Sequence, residues 1–164
     1  MSKRKKLSPR PSFDEIRTLA EEEDAEAEYR LGLAYCGKDT SIQDPTLAAI
    51  WFRRSAEHGH TNAQYELAWC YLKGEGVVQD EEIAAFWFNR VIGTYRKTAE
   101  KGDADAECQL GEFYRLGIGL PHNDEEAVKW LERSARHGCK HAEDLLEKYY
   151  LHRSETEKEK RRKK

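Results

Sequence analysis

Four segments of this chain carry one spacing, Ala-x-x-x-Leu-x-x-x-Tyr. They are Ala27, Leu31, Tyr35; Ala63, Leu67, Tyr71; Ala106, Leu110, Tyr114; and Ala142, Leu146, Tyr150. Their starts lie 36, 43 and 36 residues apart. Self-similarity at that period means stacked units, none able to bury its apolar face alone. The stretch after each Tyr repeats as well. An Asx stands nine residues on (Asp44, Asp80, Asn123), then Ala48, Ala84, Ala127, then Trp51, Trp87, Trp130, followed by Phe52, Phe88 or Leu131. Each unit closes on Ala-x-x-Gly: Ala56 with Gly59, Ala99 with Gly102, Ala135 with Gly138.

Offsets of four and four, or four and three, place side chains on one stripe of an α-helix. An Asx ahead of such a stripe suits an N-cap. Glu81, Glu82, Asp124 and Glu125 fall in first turns, where the helix dipole favours anions. The closing Gly suits a left-handed residue just past the helix end. Each unit therefore reads as helix A, loop, helix B, tight turn, with small Ala residues at close contacts and Trp and Tyr supplying large buried areas.

These residues resemble the Sel-one-like repeat (SLR) family, an α/α solenoid related to tetratricopeptide repeats. Repeat two carries nearly the whole family pattern in Ala63, Leu67, Tyr71, Gly74, Gly76, Val77, Asp80, Ala84, Trp87 and Phe88. Repeat three matches through Gly111, Gly117 and Gly119, with Asn123 in place of Asp; repeat one has Lys38 and Thr40 where loop glycines are expected. The resemblance implies an all-α, right-handed α/α superhelix of about three helix-turn-helix repeats, near residues 25–60, 61–103 and 104–139, with capping helices at both ends. It implies a protein-binding module rather than a defined chemistry.

Ser12 and Glu15 form a capping-box pattern, and Ala20 precedes Ala27 by the interval that separates Ala56 from Ala63. Residues 12–23 thus read as a degenerate B helix over repeat one, and 140–151 as a C-terminal A helix with no partner. In repeat two, Trp87 to Gly102 is fifteen residues, against eight for Trp51 to Gly59 and Trp130 to Gly138. Seven extra residues near Val91–Lys97 are almost two helical turns, so the expectation is a B helix longer by ~10 Å, with a kink or bulge at Gly93 as the alternative.

The chain has 164 residues, 28 Lys and Arg and 31 Asp and Glu, a net of −3. That figure conceals a division. Residues 1–10 hold five basic side chains and no acid, and residues 152–164 hold seven basic and three acidic ones. The body, residues 11–151, is left with a net of −12. A basic arm (1–11), the solenoid (12–151) and a basic tail (152–164) follow as segments. The runs Lys3-Arg4-Lys5-Lys6 and Lys160–Lys164 suit anion binding or nuclear import, or solvated ends offsetting the body's charge. Nucleic acid or an anionic membrane would be reached only through these tails, since the acidic body opposes phosphate backbones. No apolar run approaches the ~20 residues of a membrane span, and the opening residues carry no apolar signal core. The four cysteines, Cys36, Cys70, Cys108 and Cys139, provide no A/B pair within a repeat, unlike the intra-repeat staples the resemblance implies for secreted relatives. A reduced, cytoplasmic protein is expected.

Candidate chemistry is sparse. His137, Cys139 and His141 alternate as zinc ligands would, but His137 repeats His58, and Cys139 repeats His60, which speaks for scaffold. Gly74-x-Gly76 and Gly117-x-Gly119 follow helices rather than strands and read as turns, not phosphate cradles. No catalytic residue, metal or cofactor is expected. The resemblance faintly implies an alternative, a β-lactam-binding or hydrolysing enzyme; a further alternative is an electrostatic tether through the basic tails. The favoured reading is an adaptor that holds a peptide or a partner's helix in its concave groove.

By analogy with tetratricopeptide stacks, the A helices line that groove and place there Tyr29, Leu33, Tyr65, Trp69, Cys108, Glu112, Arg115 and Asp144. Trp69 is the one Trp of four outside the repeat register. Aromatic and Arg residues are common hot spots, so Tyr29, Leu33, Tyr65, Trp69, Glu112 and Arg115 are the candidate contacts, with packing between repeats the competing role for the tyrosines.

Overall fold

The computed structural model describes residues 12–37 and 42–149. All regular structure among them is helical: α1 Phe13–Glu21, α2 Ala25–Cys36, α3 Pro45–Glu57, α4 Thr61–Lys73, α5 Glu81–Ala99, α6 Ala104–Leu116, α7 Asp124–Arg136 and α8 over 140–149. Lys38, Thr40, Tyr150 and both basic tails lie outside the described residues. The helices follow one another as A/B pairs between two single end helices, the architecture of an α/α solenoid. The chain divides into two compact units, one ending at Val91 and the other beginning at Ile92, so α5 contributes to both.

Short polar side chains start the helices, as the Asx positions imply. Asp44 Oδ1 accepts from the amides of Thr46 (2.9 Å) and Leu47 (3.0 Å), Asp80 Oδ1 from Ile83 (2.9 Å), and Asn123 Oδ1 from Glu126 (3.1 Å). Ser12 Oγ accepts from the Glu15 amide at 3.2 Å, which starts α1. The A helices have their own caps, which the repeat pattern did not disclose: Asp24 for α2, His60 for α4 and Asp103 for α6. The closing residues Gly59, Gly102 and Gly138 take φ of +89°, +87° and +92°. Glu23 stands at the same repeat position, four before Ala27, and holds φ +62° without a glycine's freedom. Gly76 is fixed by contact as well as by φ, because a Cβ there would lie 2.0 Å from the Pro45 carbonyl oxygen.

Within the first and third pairs the helices meet at the glycine following the repeat Leu. A Cβ on Gly32 would come within 2.6 Å of the Phe52 ring, and one on Gly111 within 2.7 Å of Leu131. Phe52, Leu31, Leu67, Leu110 and Leu131 are all but sealed from water. Burying one such side chain contributes about 1.5–3 kcal/mol. At the ends, Leu19 and Ala20 of α1 pack with Ala27 and Leu31. Ala142 and Leu146 of α8 pack with Cys108 and Leu131. The tryptophans, expected to supply large buried areas, differ in burial. Trp87 is nearly buried, whereas Trp51 and Trp130 are half-exposed.

Each of the three has an arginine three residues on, and Arg90 lies 5.5 Å over the nearly buried Trp87 as well. Arg54 lies 4.8 Å over the Trp51 ring and Arg133 lies 5.5 Å over Trp130. Each of these last two arginines also donates to a carbonyl near the end of the preceding B-type helix, Ala20 of α1 (3.5 Å) or Ala99 of α5 (2.9 Å). Its Nε faces a carboxylate with no solvent access: Arg54 to Glu28 Oε1 at 3.0 Å, Arg133 to Glu107 Oε1 at 2.6 Å. These are ion pairs without hydrogen-bond alignment. The other carboxylate oxygen takes a hydrogen bond with a histidine, His58 or His137 Nδ1, at 2.7 Å in both cases. Ser55 and Ser134, also buried, donate to Ala25 and Ala104 carbonyls at 2.6 Å. A buried charge is costly unless paired and bonded, and both partners come from the facing helix. Repeat two has Gln64 in place of the acid, donating to the Ala56 carbonyl at 3.1 Å, and exposed Lys97 and Lys101 where Arg and His stand elsewhere.

The extra residues of repeat two are absorbed as uninterrupted helix. α5 has 19 residues against 13 in α3 and in α7. Its buried positions, Ala84, Trp87, Phe88, Val91, Ile92 and Ala99, keep helical period through the insertion. Gly93 sits on this helix with open space around it. Gly93→Ala therefore gains stability, about 1 kcal/mol in urea unfolding; a loss would mean that α5 bends there. Arg133→Met keeps the contact with Trp130 but strands Glu107. It costs roughly 3 kcal/mol, and much less when combined with Glu107→Gln. An additive double-mutant cycle would contradict the pairing.

Candidate functional site

The six candidate contacts divide between the units. Tyr29, Leu33, Tyr65 and Trp69 belong to the first, Glu112 and Arg115 to the second.

In the first unit the side chains rise from α2 and α4. Tyr29 is half-buried, its ring stacked on His60 at 4.5 Å and 25° and tilted against Phe52 at 6.1 Å. His60 is oriented by two bonds. Nδ1 accepts from the Ala63 amide at 3.2 Å, so Nε2 carries the proton and faces Glu26 Oε2 at 3.0 Å. Burial acts to raise the Glu26 carboxyl, but hydrogen bonds from His60 and Arg30 outweigh it and hold the group below its ordinary range. One turn after Tyr29, Leu33 is 40% exposed.

On α4, Tyr65 and Trp69 meet edge-to-face at 6.2 Å, and both lean on Phe88 of α5, at 6.0 and 5.6 Å. Phe88 is buried, while Tyr65 and Trp69 keep part of their surface in water. Lys73 Nζ lies 5.0 Å over the Trp69 ring and 4.0 Å from Glu75. Glu66 shares this face, three residues before Trp69. It is half-buried, and among the described residues it makes no hydrogen bond or ion pair. Burial pushes its carboxyl up, with Lys73 opposing. Sequence reading missed Glu66, because one acid in a chain rich in acids carries no signal.

In the second unit Glu112 Oε1 pairs with Arg115 at 3.3 Å, and Glu112 Oε2 lies 3.9 Å from His141. Arg115 Nε is buried without a hydrogen-bond partner. Asp144 is exposed. Cys108 is not a surface residue as expected: it is 2% exposed and packs into the core.

Reactive chemistry finds little support in the groups present. Burial pushes the Cys70 and Cys108 thiols up to about 12, far from a nucleophile's range. Ser55 and Ser134 are buried and committed to backbone carbonyls. His137 is engaged by Glu107 rather than by Cys139, and among the described residues no three His, Cys, Asp or Glu side chains converge as metal ligands. Gly74, Gly76, Gly117 and Gly119 turn the chain between helices with positive φ. A cavity of about 190 Å³, lined by Cys36, Gln43, Pro45, Ala48, Phe52, Cys70 and Glu75, is smaller than common ligand pockets of ~300–1,000 Å³. No described helix is long and apolar enough to cross a membrane.

Comparison with known proteins bears on the whole arrangement. The Sel1 repeat model matches residues 25–60, 61–90 and 104–139. A protective antigen of uropathogenic Escherichia coli strains, displaying an SLR fold, is similar at 34% identity and TM-score 0.60, over 87% of this chain and 29% of that one. A Sel1 repeat protein from Oxalobacter formigenes is similar at 30% identity and TM-score 0.59, over 84% of this chain and 54% of its own. The chain thus spans about a third and about half of these two. Helicobacter pylori cysteine rich protein B, at 19% identity and TM-score 0.50, covers 84% of this chain and 99% of its own and shares the fold. No curated protein matches.

Glu66→Gln removes a desolvated charge, so it raises the melting temperature slightly at pH 7. The gain should be present above the folded-state titration of Glu66 and vanish below the ordinary carboxylate value, where wild type is also neutral. An equal gain at pH 7 and in acid would contradict a desolvated carboxylate.

Proposed function

The chain belongs to the Sel1 repeat family, whose members are generally protein-interaction scaffolds, and on that premise we propose that it is a non-catalytic adaptor holding a peptide or partner helix on the α2/α4 face of its first unit. The observation that carries this reading is the ring cluster of Tyr65 and Trp69 on buried Phe88, with Leu33 exposed on the neighbouring helix. Rings held by a packed floor yet open to solvent are what hot spots require, since little side-chain freedom remains to be lost on binding. The half-buried Tyr29, stacked on His60, holds α2 to the start of α4 and lends a second aromatic edge. Glu112 and Arg115 are proposed as a polar contact of the second unit taken by itself. A reducing, cytoplasmic setting belongs to the same reading, supported by four free thiols.

Trp69→Ala weakens recovery of partners from the native cell at least tenfold, while far-UV dichroism stays unchanged. Trp87→Ala, by contrast, removes a nearly buried ring and destabilises the fold by ~3–5 kcal/mol. Undiminished partner recovery by Trp69→Ala would reject the α2/α4 face as the binding surface.

A further inference from the structure

We infer that the α2/α4 face reads a cationic side chain: the partner segment is one from another protein that seats a lysine or arginine between the Glu66 carboxylate and the Trp69 ring. This rests on the adaptor reading above and specifies what is bound there.

Three observations point to it. Glu66 is half-buried on an interaction face yet has no ion-pair or hydrogen-bond partner among the described residues. Almost every other carboxylate drawn into this chain is answered: Glu28 by Arg54 and His58, Glu107 by Arg133 and His137, Glu26 by Arg30 and His60. Burial pushes the Glu66 carboxyl up, so the ionised form gains from an arriving cation. Second, Trp69 stands one turn beyond Glu66 on the same face, and its ring already takes an ammonium, Lys73 at 5.0 Å. Lys73 is also drawn to Glu75 at 4.0 Å and acts on Glu66 through its charge without forming an ion pair, so an incoming cation competes with it for the ring and the carboxylate. Ring face plus desolvated carboxylate is the pairing that holds alkylammonium and guanidinium groups. Third, residues 11–151 carry a net charge of −12, a field that draws in basic segments.

The test is a displayed library of random peptides selected on the full chain, on Glu66→Gln, on Glu66→Lys and on Trp69→Ala, each checked for unchanged far-UV dichroism. Wild type should enrich peptides with Lys or Arg at one fixed position. Glu66→Gln should keep the surrounding apolar motif but bind the selected peptides about tenfold more weakly, with the basic position relaxed. Glu66→Lys should turn that position acidic. A motif with no basic position, or one unchanged in Glu66→Gln, would overturn this inference and leave the adaptor reading standing. Absence of any motif that depends on Trp69 would overturn both. Selected peptides binding no better than a peptide of residues 158–164 would overturn a foreign occupant in favour of the chain's own tail.

Discussion

The close seam inside the α2/α3 and α6/α7 pairs is the constraint on which everything else rests. A ring or leucine from helix B presses where helix A offers only a hydrogen, Phe52 on Gly32 and Leu131 on Gly111. With the backbones that near, the position after each repeat Ala has no route to water. In α2 and α6 it is a glutamate, so two carboxylates are sealed into the seam. Their burial is answered by the facing helix, which brings an arginine and a histidine to the two oxygens. The arginine also reaches the carbonyl end of the preceding B-type helix, α1 or α5. One side chain thereby links a ring, a buried acid and a neighbouring helix end.

Much of this was legible in the repeats and some was not, for identifiable reasons. Asp44, Asp80 and Asn123 could be read as caps because a short polar side chain ahead of an apolar stripe has few other uses. The long α5 followed from the seven inserted residues, whose Val91 and Ile92 continue the buried stripe. The buried acids were hidden, since a glutamate in a chain with so many acids looks like solvated surface. A signal did exist: Glu28, Arg54 and His58 share their offsets with Glu107, Arg133 and His137, and all three types change together at Gln64, Lys97 and Lys101. Glu23 was missed because its φ belongs to a position where the other repeats have glycine. Trp51 and Trp130 were expected to supply large buried areas, and each stays half-exposed with an arginine over its ring.

The candidate site was legible as a list of positions and not as an arrangement. Helical spacing placed Tyr29, Leu33, Tyr65 and Trp69 on one kind of face. It said nothing of Phe88 as the floor beneath two of them, nor of His60 as cap, hydrogen-bond partner and stacking platform at once. Cys108, which occupies an equivalent position on α6, is buried where α8 packs, so equal register does not ensure equal exposure. Glu66 differs from the seam glutamates in the respect that matters for binding: its desolvation is opposed by the charge of Lys73 but by no ion pair or hydrogen bond among the described residues. A scaffold optimised only for stability would have exposed or paired it, as it does Glu26.

The central claim is that the α2/α4 face receives the partner while the B helices only support it. Site-specific photocrosslinking in the native cell examines this directly, with a photoreactive residue in place of Leu33 on α2 or of Ile50 on α3, both exposed, at 40% and 47%. The account predicts discrete protein adducts from position 33 and none from position 50. Adducts from position 50 alone would contradict it.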